Sequence, residues 1–178
     1  YGNAKVSGDA RVYGNARVYG NARVYGNAKV SGDARVYGNA RVHGNARVYG
    51  NAMVSQNQHL QNCSCKDDLS KNIKESIRCQ TGLGIFNEKI VAYKTVNKDM
   101  SSFQDEKFFY KVGEIAEVKN PEISNESCAS GLHFSNMNYW DDKDGVFIQA
   151  EINLEDIITV QEGKIRCKKA LITGIYER

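Results

Sequence analysis

The 178 residues of the chain leave room for one short repeat segment and one domain of roughly 100 residues with its own core. The net charge of +3 joins two unlike parts: residues 1–54 carry eight Lys or Arg against Asp9 and Asp33, a balance of +6, and the other sixteen Lys or Arg face nineteen acids, a balance of −3. No run approaches ~20 apolar residues, which excludes a membrane-spanning helix, and five irregularly spaced cysteines exclude a disulfide framework and suit the reducing cytoplasm of a bacterial host.

Residues 1–54 are one hexapeptide written nine times, from Tyr1-Gly2-Asn3-Ala4-Lys5-Val6 to Tyr49-Gly50-Asn51-Ala52-Met53-Val54. Every hexad has Gly second, Asn or Asp third, Ala fourth and Val sixth. A period of six is too short for a helix pair or a propeller blade and fits a parallel β-solenoid with one short strand and one corner per repeat. Alternation in the strand turns Ala4 and Val6 inward and Lys5 outward. Gly-Asn supplies the corner, because Gly adopts positive φ without steric cost and Asn tolerates it.

This pattern resembles the hexapeptide-repeat left-handed parallel β-helix, which implies three hexads per triangular coil. Nine hexads then give three coils, a prism ~15 Å tall at the ~4.8 Å strand spacing. Residues eighteen apart should stack, with Tyr1/Tyr19/Tyr37, Asn3/Asn21/Asn39 and Lys5/Arg23/Arg41 on one face and Arg11/Lys29/Arg47 on the next. The basic ladder of Arg11, Arg23, Arg41 and Arg47 is a candidate polyanion surface, with tyrosines to stack on bases, and equally the charged exterior that any solenoid needs. The Ser-Gly-Asp variant recurs at Ser7 and Ser31, twenty-four residues apart, so it changes face and favours a generic surface. The sequence also predicts further hexads before Tyr1.

Residues 55–84 are expected to be cap, linker and a short helix. Residues 55–66 break the valine period. Leu69, Ile73 and Ile77 recur every four places over 67–79, with Asp67 or Asp68 to cap the start and Gly82 past the end, which predicts an amphipathic helix available for packing or self-association. His59, Cys63 and Cys65 form a corner of metal-ligating types that lacks a second well-spaced pair, and no metal is assigned.

From Ile85 to Arg178 the pattern predicts a small α+β domain. Strands are expected at 89–96, 108–112, 115–118, 132–134, 146–152, 157–160 and 164–176 with a break near Lys169. Asn120-Pro121 opens a loop to Ser127, Tyr139 and Trp140 close a one-turn helix from Ser135, and Asp141-Asp142-Lys143-Asp144-Gly145 reads as a solvated turn, lacking EF-hand spacing.

Ala92-Tyr93-Lys94, Asn97-Lys98-Asp99-Met100, Tyr110-Lys111-Val112-Gly113-Glu114, Cys128-Ala129-Ser130-Gly131-Leu132-His133-Phe134-Ser135 and Gly163-Lys164-Ile165-Arg166-Cys167-Lys168-Lys169-Ala170 are similar to a domain of unknown function found in phage and prophage proteins. That likeness, over about 89–177, implies a mobile-element origin and no activity. The strand 91–95 and Gly131-Leu132-His133-Phe134 also resemble strands of ADP-ribosyltransferases, which implies an NAD-binding cleft with Lys94, His133 and Tyr139 converging. Lys94 stands where that family has His, His133 replaces its stacking Tyr, and neither Glu151 nor Glu162 is singled out as the catalytic acid. The expected outcome is instead that His133 lies on the opposite side of a core strand from Leu132 and Phe134, with no convergent polar groups, so that NAD gives no thermal shift and His133→Ala costs no more than about 1 kcal/mol. Cys128 and His133 lack a third, orienting residue, so no catalytic residue and no cofactor are assigned.

The readings therefore converge on a structural or interaction protein, a rigid spacer or assembly surface presenting a partner-binding domain. The alternatives are an NAD-binding domain on that spacer and a nucleic-acid binder using the basic prism.

Overall fold

A computed structural model describes every residue except 1, 123, 125–128, 141–144, 177 and 178. The chain divides into two compact units, Tyr1–Gly82 with Val160–Gly163 and Leu83–Thr159 with Lys164–Arg178.

In the first unit each hexad forms one two- or three-residue strand: β1 (Lys5–Val6), β2 (Arg11–Val12), β3 (Arg17–Val18), β4 (Arg23–Val24), β5 (Lys29–Val30), β6 (Arg35–Val36), β7 (Arg41–His43), β8 (Arg47–Val48) and β9 (Met53–Val54). They pair in parallel, eighteen residues apart, so that Val12, Val30 and Val48 stand in one ladder and Val18, Val36 and Val54 in another. Between coils the backbone bonds run along the stack, as from Arg11 N to Ala28 O and Tyr13 N to Val30 O, at 2.9 and 3.0 Å. From Ala22 to Val54 every Ala and Val of the repeat is 0 % exposed. This is a parallel β-solenoid with three hexads per coil.

The glycine of the hexad has a steric cause. Gly32 has φ +69°, and a Cβ there would lie 3.0 Å from the amide nitrogen of Gly50 in the adjoining coil. A side chain is excluded both by backbone conformation and by the next corner.

Residues 55–66, expected as cap and linker, instead continue the solenoid into a fourth, incomplete layer. The strands β10 (His59–Gln61) and β11 (Ser64–Cys65) pair in parallel with β7 and β8 and set Leu60 over Val42 and Cys65 over Val48. Gln56 and Asn62 take the left-handed corner conformation of the missing glycines, at φ 52° and 55°. Between Leu60 and Cys65 the repeat is one residue short. The Asn62 side chain compensates, because its Oδ1 accepts from Asn45 N at 2.8 Å, whereas one coil below the carbonyl of Gly44 accepts from Asn27 N. Leu69 closes the third ladder, following an Asp68 bridge to Met53.

The helix α1 spans Ile73–Thr81 and not 67–79. Asn72 is its N-cap, accepting from Glu75 N at 3.0 Å, and Gly82 ends it in the left-handed conformation. Asp68 instead receives Ser70 N in a turn before the helix, so Leu69 serves the solenoid core and not the helix stripe.

The second unit is a small α+β domain of antiparallel sheets. Its strands are β12 (Ile85–Phe86), β13 (Lys89–Val96), β14 (Ile115–Glu117), β15 (Leu132–Phe134), β16 (Val146–Asn153), β17 (Ile157–Gln161, whose last two residues count with the first unit), β18 (Lys164–Cys167) and β19 (Lys169–Tyr176). One sheet has the order β12-β13-β16-β19-β14 and the other β15-β18-β17. The strand expected at 108–112 does not form; only Phe109 makes an isolated bridge, to Ser101. The turn at 141–144 and the loop residues 125–127 lie outside the described residues.

Candidate functional site

β13 alternates inward and outward, and Ile90, Ala92, Lys94 and Val96 share its buried side. A lysine has thus been placed where the pattern calls for an apolar residue, and it is only 7 % exposed. Two aromatic rings compensate for the lost water: the Lys94 ammonium lies 5.3 Å from the Trp140 ring centroid and 5.9 Å from that of Tyr110. Trp140 is fixed by its indole N–H, which donates to the Tyr93 carbonyl at 2.7 Å. Tyr110 packs edge-on against Phe108 and Phe134. Among the described residues no carboxylate pairs with Lys94, and burial, opposed in part by Cys167 and reinforced by Lys164, lowers its pKa from 10.5 to about 8.

His133, on β15, lines the same cavity of about 390 Å³, with Ser102, Asp105, Tyr110 and Glu117 also in its wall. The two acids are engaged elsewhere: Asp105 accepts from Lys107 N at 3.1 Å and Glu117 pairs with Lys169 at 3.2 Å. His133 Nε2 is buried without a hydrogen-bond partner among the described residues. Burial first, then Lys94, Lys164 and Arg166, push the His133 pKa down to about 4, so the imidazole is neutral at pH 7.

Lys94 and His133 therefore converge, which overturns the expectation of a histidine facing no polar group. Tyr139 does not line the cavity; it packs edge-on against Trp140 at 5.0 Å between centroids. All three residues of β15 are buried, because β15 is covered on both sides and strand alternation alone did not decide which side holds polar groups. Cys128 lies outside the described residues, so the Cys128–His133 pair has no geometry to report.

The linkage of His133 gives a testable pH dependence. Its folded pKa is depressed, so below about 4 the folded state carries the full cost of charging it, and stability is gained as pH rises from about 4 to 6.5. At about 1.4 kcal/mol per pH unit the span is about 3 kcal/mol. Urea unfolding of His133→Gln should lack this component between pH 6.5 and 4; an unchanged slope there would contradict the buried, neutral imidazole.

On the solenoid, the exposed Arg23 and Arg41 stand in one outward column with Lys5 and the half-buried His59, and the exposed Arg11 and Arg47 in another with the half-buried Lys29. Tyr19 stacks on Tyr37 at 5.1 Å and Tyr25 on His43 at 4.9 Å, each pair 3° from parallel. Side-chain amides join in a parallel ladder, as from Asn21 Nδ2 to Asn39 Oδ1 at 3.4 Å. His59 belongs to the Arg41 column, where burial and then Arg41 lower its pKa. Cys65 faces Cys79 instead, and Cys63 packs against the solenoid core. Among the described residues Cys65, Glu75 and Cys79 are a group whose ligand atoms converge within 4.8 Å.

Residues 4–18, 10–26, 16–32, 28–44 and 46–61 match a family model described as the YdcK beta solenoid repeat. The match reaches past residue 54 into β10, in agreement with the continued coil. It ends at 61, and the likeness of the C-terminal motifs to a phage-type domain finds no support in it. No curated protein and no solved structure matches the chain.

Proposed function

We propose that this is an interaction protein in which the solenoid is a rigid spacer and the C-terminal domain, of phage or prophage type, binds a partner through an anionic group received at Lys94. One observation carries the reading: a buried ammonium, held by aromatic rings with no carboxylate pairing it among the described residues, faces a cavity whose other buried nitrogen, His133 Nε2, also has no partner. Buried polar groups without partners are costly and rare, and when they converge in a cavity they mark a binding site. Succinate, as a small carboxylate probe, is expected to raise the melting temperature of the wild type by a few °C and to leave Lys94→Met unchanged, since a ligand selective for the folded state stabilises it. Equal shifts in both proteins, or none in either, would overturn the proposal.

The convergence of Lys94 and His133 also favours a second reading, an NAD-binding, ADP-ribosyltransferase-like cleft. Tyr139 standing outside the cavity wall weighs against it. The two readings separate in the same assay, because a shift with millimolar NAD that disappears in His133→Ala, with no shift given by succinate, belongs only to the second.

Nucleic-acid binding through the prism is the third reading. Of the tyrosines that would stack on bases, Tyr19 and Tyr37 already stack on each other and Tyr25 on His43, so the arginine columns would carry most of the affinity. Binding of a single-stranded oligonucleotide should be weak and lost above ~0.3 M salt. Submicromolar binding persisting beyond that would displace the spacer reading.

A further inference from the structure

The end of the solenoid brings together three ligand-bearing side chains from two elements, with Cys63 as a fourth beside them. Cys63 and Cys65 precede and end β11, at the places in the coil where earlier repeats have Ala and Val, and their i, i+2 spacing sends both to the same side. Glu75 and Cys79 lie four apart on α1 and share one helix face. Cys65, Glu75 and Cys79 place their ligand atoms within 4.8 Å of one another, and Cys63, outside that group, packs against the same core cluster as Cys65 and Cys79. Cys79 Sγ lies 3.6 Å from Glu75 Oε1. Around a tetrahedral ion with metal–sulfur bonds of about 2.3 Å and metal–oxygen bonds of about 2.0 Å, a sulfur and an oxygen ligand sit about 3.5 Å apart.

We infer that Cys63, Cys65, Cys79 and Glu75 form a binding site for one thiophilic divalent cation of the zinc class. Three thiolates select a soft or borderline ion over calcium or magnesium. Two pairs from two elements supply what the spacing of His59, Cys63 and Cys65 lacked. Packing as small apolar side chains accounts for the burial of Cys65 and Cys79 but not for a carboxylate aimed at the same point. The carboxylate is also oriented from behind: Arg78 grips it through Nε at 3.1 Å and Nη2 at 2.6 Å, and the same Nη2 holds the Ser64 carbonyl, between the two strand cysteines, at 2.6 Å. That is the outer-shell bonding that fixes metal ligands, and the guanidinium offsets one of the four negative charges around the ion. Cys63 is partly exposed and the Glu75 side chain 15 % exposed, which leaves the ion a way in. On binding, each thiol gives its proton to water as its sulfur bonds the metal.

The test is titration of the reduced, full chain with Co²⁺, whose visible and thiolate charge-transfer bands report tetrahedral sulfur ligation, followed by displacement with Zn²⁺. One ion per chain is expected, with the cobalt spectrum bleached by zinc. Cys63→Ser, at the partly exposed position, should keep the wild-type circular dichroism and lose its share of the charge-transfer intensity. Cys79→Ser should bind no cobalt in this mode, Arg78→Ala should bind about 10- to 100-fold more weakly, and Cys167→Ser should bind as the wild type does. A folded, reduced chain without charge-transfer bands would overturn the inference. So would bands that survive both Cys63→Ser and Cys79→Ser, or a Cys65–Cys79 disulfide in a protein that takes up no metal once reduced.

Discussion

Val30→Asp unfolds the solenoid. Val30 is 0 % exposed and is paired above and below with Val12 and Val48, so a carboxylate there meets apolar side chains on every side and cannot reach water. An unpaired buried charge costs several kcal/mol even after the group protonates or the backbone relaxes. In a solenoid each coil is supported only by its neighbours, so disrupting the middle coil removes support from both sides. Far-ultraviolet circular dichroism should lose the β signal of the repeat segment. The neighbouring change Lys29→Gln, one residue away on the outward side, should stay within about 0.5 kcal/mol. A Val30→Asp protein with wild-type dichroism and melting temperature would contradict the three-hexad coil.

The second large effect has the opposite sign. Lys94→Met should stabilise the C-terminal domain at neutral pH while removing its ligand response. A pKa lowered from 10.5 to about 8 by burial means that the folded state resists the charged form; at about 1.4 kcal/mol per pH unit the penalty is about 3 kcal/mol at most. Methionine keeps the length and apolar character of the stem and loses the cation–π contacts, which return part of the gain. The penalty is fully present below pH 8 and falls away as pH rises from about 8 to 10.5, because there the unfolded chain holds more protons than the folded one. Denaturant unfolding of the two proteins should therefore differ most at pH 7 and converge near pH 10.5. A less stable Lys94→Met at pH 7 would show that the ammonium is compensated by a partner group after all.

The hexads were legible because one pair of inward residues and one corner repeat without exception. The fourth layer was not, and the reason is local. A corner needs glycine only where another corner stacks on it, as Gly38 lies beneath Gln56, whose amide nitrogen would stand 2.8 Å from a Cβ at that place. Gln56 belongs to the incomplete layer, where no complete coil follows, so a side chain is tolerated and the sequence signature fades while the backbone path continues. The six-residue step from Val54 to Leu60, with Ser55 and Asn57 keeping the first and third places of the hexad, pointed to it. In the C-terminal domain the long strand at 89–96 was readable from its alternation, and the same alternation already put Lys94 on the side of Ile90, Ala92 and Val96. The segment 108–112 misled because β-prone aromatics also serve as loop anchors: Tyr110 is buried against Phe108 and Phe134 without joining a ladder. The convergence of Glu75 and Cys79 with Cys65 depends on where α1 is set against β11, which no spacing in the chain records.

The uniform hexad also bears on how such a gene can change. A repeat this uniform in amino-acid sequence can gain or lose one unit and leave every alanine and valine still facing inward. What changes is the outside: each residue beyond the event moves on by one of the three faces, so Arg23, now in register with Arg41, would no longer stand in its column. Only a change of three units restores the original surface. The interior is blind to copy number and the exterior is not, so a lineage can redraw the pattern it presents to other molecules by a kind of error that most folds would not survive.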